Sequence, residues 1–293
     1  MAANERPAME QWLTGNKIPV GQWGEAFFDL LTDYFAWFFD SIANGVTATL
    51  DYVIAAILAP PAIVVVGIAA VLVYLLKRSF VLSVGVAAGL LFIINQGLWK
   101  DTVETVALVG GATAVSMAIG VPVGIAAAHR AWLYRILQPL LDLMQTLPTF
   151  VYLIPALILF GLGLAPGMIA TIIFAIPAPI RLTQLGISSV PKHLIEAGEA
   201  FGATRRQLLW KVELPSALPT IMAGLTQCIM LSLSMVVIAA LVGANGLGKP
   251  VVRALNTVNV PLGLEAGLAI VVLAIILDRV CRVEMRSPAG APK

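Results

Sequence analysis

The chain has 293 residues, 59% of them apolar and 12% charged, with a mean hydropathy of +0.94. Soluble domains carry about 25% charged residues, so the composition excludes a soluble globular fold and specifies an integral membrane protein. The net charge of +2 is spread along the chain and gives no basic patch for nucleic acid. Cys228 and Cys281 lie in or beside apolar segments as small core residues, and with only His129 and His193 beside them no metal set forms.

Residues 1–50 read as a region of their own, placed outside the cell, ahead of a permease domain over 51–285 and a tail over 286–293. The first twenty residues have no apolar core of the kind a signal peptide needs. Up to Asp51 the chain holds seven acids and two bases. Aromatics from Trp23 to Phe38 alternate with Glu25, Asp29, Asp33 and Asp40 at helical spacing. The pattern predicts an amphipathic helix, lying on the membrane surface or packed on the flank of the bundle.

Seven segments meet the requirement of about 20 apolar residues for a span: 52–76, 80–99, 102–128, 143–163, 167–187, 217–242 and 264–281. Pro60-Pro61 should kink or divide the first. With the N-terminus outside, thirteen of the eighteen Lys and Arg residues fall on the inner side. The positive-inside rule therefore puts the C-terminus and the polar stretch after residue 188 in the cytoplasm. Small residues recur four apart at Gly85/Gly89, Gly110/Ala114 and Gly120/Gly124, a spacing that permits close helix approach. Prolines 122, 148, 155, 177, 179 and 219 suggest bent spans, satisfied by neighbours.

The longest polar interval after residue 51 is Glu196–Pro219, EAGEAFGATRRQLLWKVELPSALP. Ser189 and Pro191 are a capped helix start, Gly202 a left-handed stop and Thr204 a second cap, with Pro215 ending the second helix. The expected object is a helix–turn–helix outside the hydrocarbon.

Glu196-Ala197, then Gly202, then Val212-x-Leu214-Pro215 resembles the signature loop of ATP-binding-cassette importer permeases. The spacing is that of the family, with Gly198 in place of its second alanine and Val212 in place of isoleucine. Glycine at 198 should weaken the helix by roughly 0.5–1 kcal/mol relative to alanine. The resemblance implies a coupling loop over 190–215 that meets a cytoplasmic ATPase through Glu196, Ala197, Gly198, Ala200, Gly202, Leu214 and Pro215. A plain amphipathic loop is the alternative.

A second resemblance runs from about Gln96 to Arg282. MQTLPTFVYLIPALILFGLG (144–163), IIFAIPAPIRLTQLGI (172–187) and the run from Leu231 to Val280 are similar to permeases that import glycine betaine, proline betaine and choline. The fifty N-terminal residues are shorter than the tail of that group's best-known member. The resemblance implies an all-α polytopic bundle of the type I importer kind in a bacterial inner membrane. It implies a second copy of the chain, two cytoplasmic ATPase subunits, and a periplasmic or tethered binding protein. No cofactor belongs to this chain. Gly246-Leu247-Gly248-Lys249 lacks the spacing of a phosphate loop, so ATP and magnesium would be held by the partner and the chain is not itself an enzyme.

A quaternary ammonium ion is held by aromatic faces and desolvated contact. Path-lining candidates are Phe150 and Tyr152, Met230 and Met235, with Gln227, Ser232 and Ser234 for a wet path; for each, packing is the stronger reading. Asp142 is expected to pair with Arg130 or Arg135, and the Arg181 head to reach the cytoplasm. His129 and His193 need no special role. The Gly243–Pro261 segment carries Lys249 and Arg253 and reads as a dock for the binding protein or a generic polar turn. The function expected is thus a permease subunit for glycine betaine or a related quaternary amine. The alternatives are a permease for another small amine or amino acid, or an ion-coupled secondary transporter. The last would want deep carboxylates, and none is present.

Overall fold

The computed structural model describes Lys17 and residues 19–282, which form helices and no strand among the described residues. Helix α1, Val20–Leu58, is a single rod of 39 residues. At 1.5 Å per residue it is about 58 Å long, roughly twice the thickness of the hydrocarbon. The boundary expected between residues 50 and 51 therefore falls inside a helix. The second half packs on the flank of the bundle. Phe39 meets Phe160 edge-on at 5.3 Å, and Leu50 is buried in the core cluster that also holds Met168. Trp23, Phe27, Tyr34 and Trp37 in the first half stay exposed.

The span expected over 52–76 is divided. Helix α1 stops at Leu58, and α2, Ala62–Lys77, begins behind Pro61. Two successive prolines remove two N–H donors, and the helical ladder cannot cross them. Helix α3, Phe80–Asn95, returns antiparallel after a left-handed Arg78 (φ 50°), with Ser79 Oγ accepting from Leu82 N–H. Both α2 and α3 have 16 residues, about 24 Å of rise, apolar but shorter than the helices long enough to span alone. Five helical stretches are long and apolar enough to span, or six if one bent pair counts as a span. That number replaces the seven expected from hydropathy.

The bent pair is α5, Ala131–Thr146, followed by a 3-10 turn (Thr149–Tyr152) and α6, Leu153–Phe160, inclined at 107°. Leu147 is extended ahead of Pro148, as the proline ring requires of its predecessor. The span expected over 143–163 thus begins with a sharp corner.

The remaining elements are α4 (Trp99–His129), α7 (Leu164–Ala175), α8 (Pro177–Ser188), α9 (Lys192–Ala200), α10 (Arg205–Leu208), α11 (Leu214–Ala239), α12 (Gly248–Thr257) and α13 (Val260–Cys281). Helices α4, α7–α8 and α11 form the centre. Of the three small-residue pairs, Gly120/Gly124 makes the tightest contact. A Cβ at Gly120 would lie 2.8 Å from Pro179 Cγ, and one at Gly124 would lie 2.7 Å from Ile180 O. Glycine here lets two backbones touch. Gly85 and Gly110 face open space.

Candidate functional site: coupling loop and transport face

Between α8 and α11 the chain leaves the bundle. Pro191 is the residue before α9, and no side chain caps that start. The capping expected of Ser189 is not made, because its hydroxyl turns back and donates to Leu185 O, closing α8. At the other end Gly202 has φ +75°. Gly202 N–H donates to Glu199 O at 2.8 Å and Ala203 N–H to Gly198 O at 3.1 Å, the paired bonds of a Schellman stop.

Thr204 caps α10 in a full capping box. Gln207 N–H donates to Thr204 Oγ1 (3.4 Å), and Thr204 N–H donates to Gln207 Oε1 (2.8 Å). Pro215 does not stop this helix as expected. Residues Leu209–Glu213 make one π-turn, in which Leu214 N–H reaches Leu209 O, and α11 continues through Pro215. The wider turn shifts the hydrogen-bond register just where proline lacks a donor. Arg205 to Val242 is then one rod of 38 residues with its foot in the loop.

Glu196, Ala197, Ala200 and Pro215 are exposed, while Gly198 and Leu214 are half-buried. Gly198 has a packing role: a Cβ there would lie 2.5 Å from Leu208 Cδ2. Ala197, Gly198, Phe201, Lys211, Val212 and Pro215 line one shallow cavity of about 480 Å³. Phe201 on its rim is 93% exposed, an aromatic ring with no cover from its own chain.

The residues that tie the loop to the bundle escaped the sequence reading. Glu213, the unassigned position before Leu214-Pro215, is buried. Its Oε2 lies 2.9 Å from Nε2 of His129, whose Nδ1 lies 2.9 Å from Ile125 O. The His129 end of α4 is thereby fastened to the junction of α10 and α11. A second tie joins Arg181 Nη2 to Asp142 Oδ1 at 2.5 Å. Asp142 therefore pairs with α8, not with Arg130 or Arg135; Arg135 Nε instead donates to Ala131 O. Signals for Glu213 existed: an acid between Val212 and Leu214-Pro215 in an apolar context needs a partner.

The proposed path residues divide into two sets. Tyr152 is buried, donates its hydroxyl to Met144 O and tilts against Phe174 at 6.1 Å. It shares a buried cluster with Met235. Ser232 is buried too, with no hydrogen-bond partner for its hydroxyl. Phe150 is exposed on another face. Gln227 and Ser234 are exposed and Met230 is half-buried. With Ala223 these three form a row spaced four, three and four along α11, one helical face. Gln227 also borders a cavity of about 360 Å³ with Thr226, Asp278 and Arg282.

At the opposite end of α4, Thr105 receives the Leu247 N–H at 2.8 Å and donates to Asp101 O at 2.8 Å. That bond pins the Gly243–Leu247 turn to α4. The segment expected to be a polar loop through Pro261 contains the helix α12.

Residues 120–283 match the model of the binding-protein-dependent transport system inner membrane component. The chain belongs to this family. The match takes in the last third of α4, the whole loop between α8 and α11, and α13. Curated relatives of the family cover nearly all of the chain. The glycine betaine transport system permease protein OpuAB of Bacillus subtilis is 46% identical over 90% of this chain and 93% of its own length. The glycine betaine/carnitine transport permease protein GbuB of Listeria monocytogenes is 42% identical over 89% and 94%. The glycine betaine/proline betaine transport system permease protein ProW of Escherichia coli is 42% identical over 89% and 74%. Among solved structures, the inward-facing MetNI methionine ABC transporter superposes with a TM-score of 0.57 at 25% identity, over 63% of this chain and 94% of that one. The family member described here is therefore a membrane-spanning component of an ABC import system, with the type I permease fold.

Proposed function

We propose that this chain is the permease subunit of an ATP-driven importer for glycine betaine or a related quaternary amine such as proline betaine or choline. The observation that carries the reading is the exposed α9–Phe201 loop, fixed rigidly to two spanning helices and offering an uncovered aromatic ring. Likeness over nine-tenths of the chain to permeases named for glycine betaine supports the substrate class. The complex would hold two copies of this chain, two ATPase subunits at the loops, and a binding protein, free or tethered, at the α12 end. It would sit in the bacterial inner membrane with the α9 loop and the C-terminus inside.

Movement of the ATPases shifts α9. The Schellman stop and the capping box pass that shift to α10. The His129–Glu213 tie then delivers it to α4 and α11 together. A loop without such ties would flex and transmit little. The row Ala223, Gln227, Met230 and Ser234 lines the path. Amide and hydroxyl groups facing hydrocarbon would be poorly solvated, whereas a water-filled gap between two copies satisfies them. Met230 offers a soft, desolvated contact to a methylated ammonium. Tyr152, Ser232 and Met235 support the path from behind, as packing.

The test is uptake of labelled glycine betaine by cells that produce the chain with its cognate ATPase and binding protein. Saturable uptake competed by proline betaine or choline supports the reading. Uptake of no quaternary amine, with the complex assembled, would overturn it.

A further inference from the structure

The end of the bundle that carries Lys77 and Arg282 opens between the α2–α3 hairpin and α13. Helices α3 and α13 touch at Gly89, where an added Cβ would come within 2.8 Å of Val272 Cγ1 and 3.2 Å of Ile276 Cδ1. One turn nearer Ser79, an added Cβ at Gly85 would meet nothing within 4 Å. The helices splay from that contact and leave a wedge of about 780 Å³. Its walls are apolar, from Leu82 and Val86 on one side to Val272 and Ile275 on the other.

The mouth of the wedge is cationic. Lys77, Arg78, Arg279 and Arg282 all line it, from the C-terminal ends of α2 and α13. Lys77 Nζ donates to Arg282 O at 2.5 Å, which holds the hairpin and α13 on one rim. None of the four bases makes an ion pair among the described residues. Asp278, the acid closest in sequence on α13, is absent from the wedge and borders the cavity beside Gln227, which Arg282 also lines. The start of α3, capped by Ser79, adds its N–H groups and the positive end of its dipole to the same mouth.

An apolar cleft that continues into four bases at the membrane surface matches a molecule with a hydrocarbon chain and an anionic head. Basic pockets between spanning helices take lipid headgroups for this reason. We propose that the wedge between α3 and α13 is a binding site for an anionic phospholipid of the surrounding membrane, one acyl chain against Gly85 and the phosphate among Arg78, Arg279 and Arg282. The lipid fills a gap that these helices cannot close. It also bridges the α2–α3 hairpin to the last span.

The test is native mass spectrometry of the full chain in mild detergent, offered equal amounts of phosphatidylglycerol and phosphatidylcholine. Each base near a headgroup contributes roughly a fivefold preference for an anionic lipid. The wild-type chain should hold phosphatidylglycerol at least tenfold over phosphatidylcholine. Arg78→Gln/Arg279→Gln/Arg282→Gln should abolish that preference. Gly85→Leu fills the wedge with its charges intact, should also release the lipid, and carries the test if the triple variant does not fold. Arg253→Gln on α12 should change nothing. Equal retention of both lipids by the wild type, or undiminished phosphatidylglycerol on both variants, would overturn the proposal. So would competition by glycerol phosphate alone at the lipid's concentration, which would make this a simple anion site. Loss of a dimer in both wedge variants would make it an interface between copies instead, and would equally overturn it.

Discussion

Glu213 and His129, 84 positions apart in the chain, meet at 2.9 Å where the α9–α10 loop enters the bundle. The carboxylate is buried and half of the imidazole is open to solvent. The pair joins the foot of α4 to the foot of α11, the helix that carries the row proposed to line the path.

Glu213→Ala should therefore separate fuel use from transport. We expect uptake to fall about tenfold or more while ATPase activity of the assembled complex persists. A thermal-unfolding double-mutant cycle with His129→Ala should return an interaction of roughly 0.5–3 kcal/mol, the range for residues in one polar pair. Additive effects of the two changes would deny the tie.

Phe201 has no contact of consequence with its own chain, being 93% exposed. Phe201→Ala should leave the stability of the isolated chain within about 0.5 kcal/mol. Co-purification of the ATPase should nevertheless drop severely, since a central aromatic anchor carries a large share of an interface. Recovery of a full complement of ATPase would remove Phe201 from the interface.

Gly202 stands at φ +75°, a region in which a β-branched side chain is strained. Gly202→Val should cost about 1–2 kcal/mol locally and uncouple uptake from ATP hydrolysis. Gly202→Asn, which tolerates the left-handed region, should keep most uptake. Measuring both separates the conformational requirement from mere loss of glycine; equal uptake in the two variants would contradict it.

Gly124 and Gly110 lie on the same helix but in different surroundings. Gly124→Leu drives a side chain against Ile180 O and Thr183 and should destabilise by about 1–3 kcal/mol or more. Gly110→Ala has space around it and should be neutral or slightly stabilising. Thermal denaturation in detergent distinguishes them.

Much of this was legible in the residues. Hydropathy located α4, α7–α8, α11 and α13 to within a few residues, because an apolar run of that length has no other stable setting. Thr204 was legible as a helix cap, while Gln207, which completes the box, was not assigned. Other features depend on what the chain meets in space. The acids of α1 masked its continuity with the stretch after Asp51. Pro215 looked like a stop because the π-turn that accommodates it has no pattern of its own. Ser189 was ambiguous between closing one helix and opening the next, and the nearer carbonyl, Leu185 O, won. Glu213 read as an unassigned filler of the loop motif, since its partner lies on a distant helix. Asp142 was matched to nearby arginines in sequence, whereas the corner at Pro148 turns it toward Arg181.

The path itself can be probed with single cysteines in a Cys228→Ala/Cys281→Ser background. Ser234→Cys and Gln227→Cys should react with water-soluble thiol reagents at rates that change when ATP is supplied. Ser232→Cys, on the buried face of α11, should not react. Similar rates at 232 and 234 would break the assignment of the exposed row to the path.

The central claim is that the α9 loop takes force from a cytoplasmic ATPase. Ala200→Cys lies on the exposed side of that loop and leaves Phe201 in place. Cross-linking from this position in membranes holding the complete complex should join the chain to the ATPase, with a yield that changes on ATP binding. Labelling of the same cysteine by an impermeant reagent added outside intact cells, with no cross-link to the ATPase, would contradict the account.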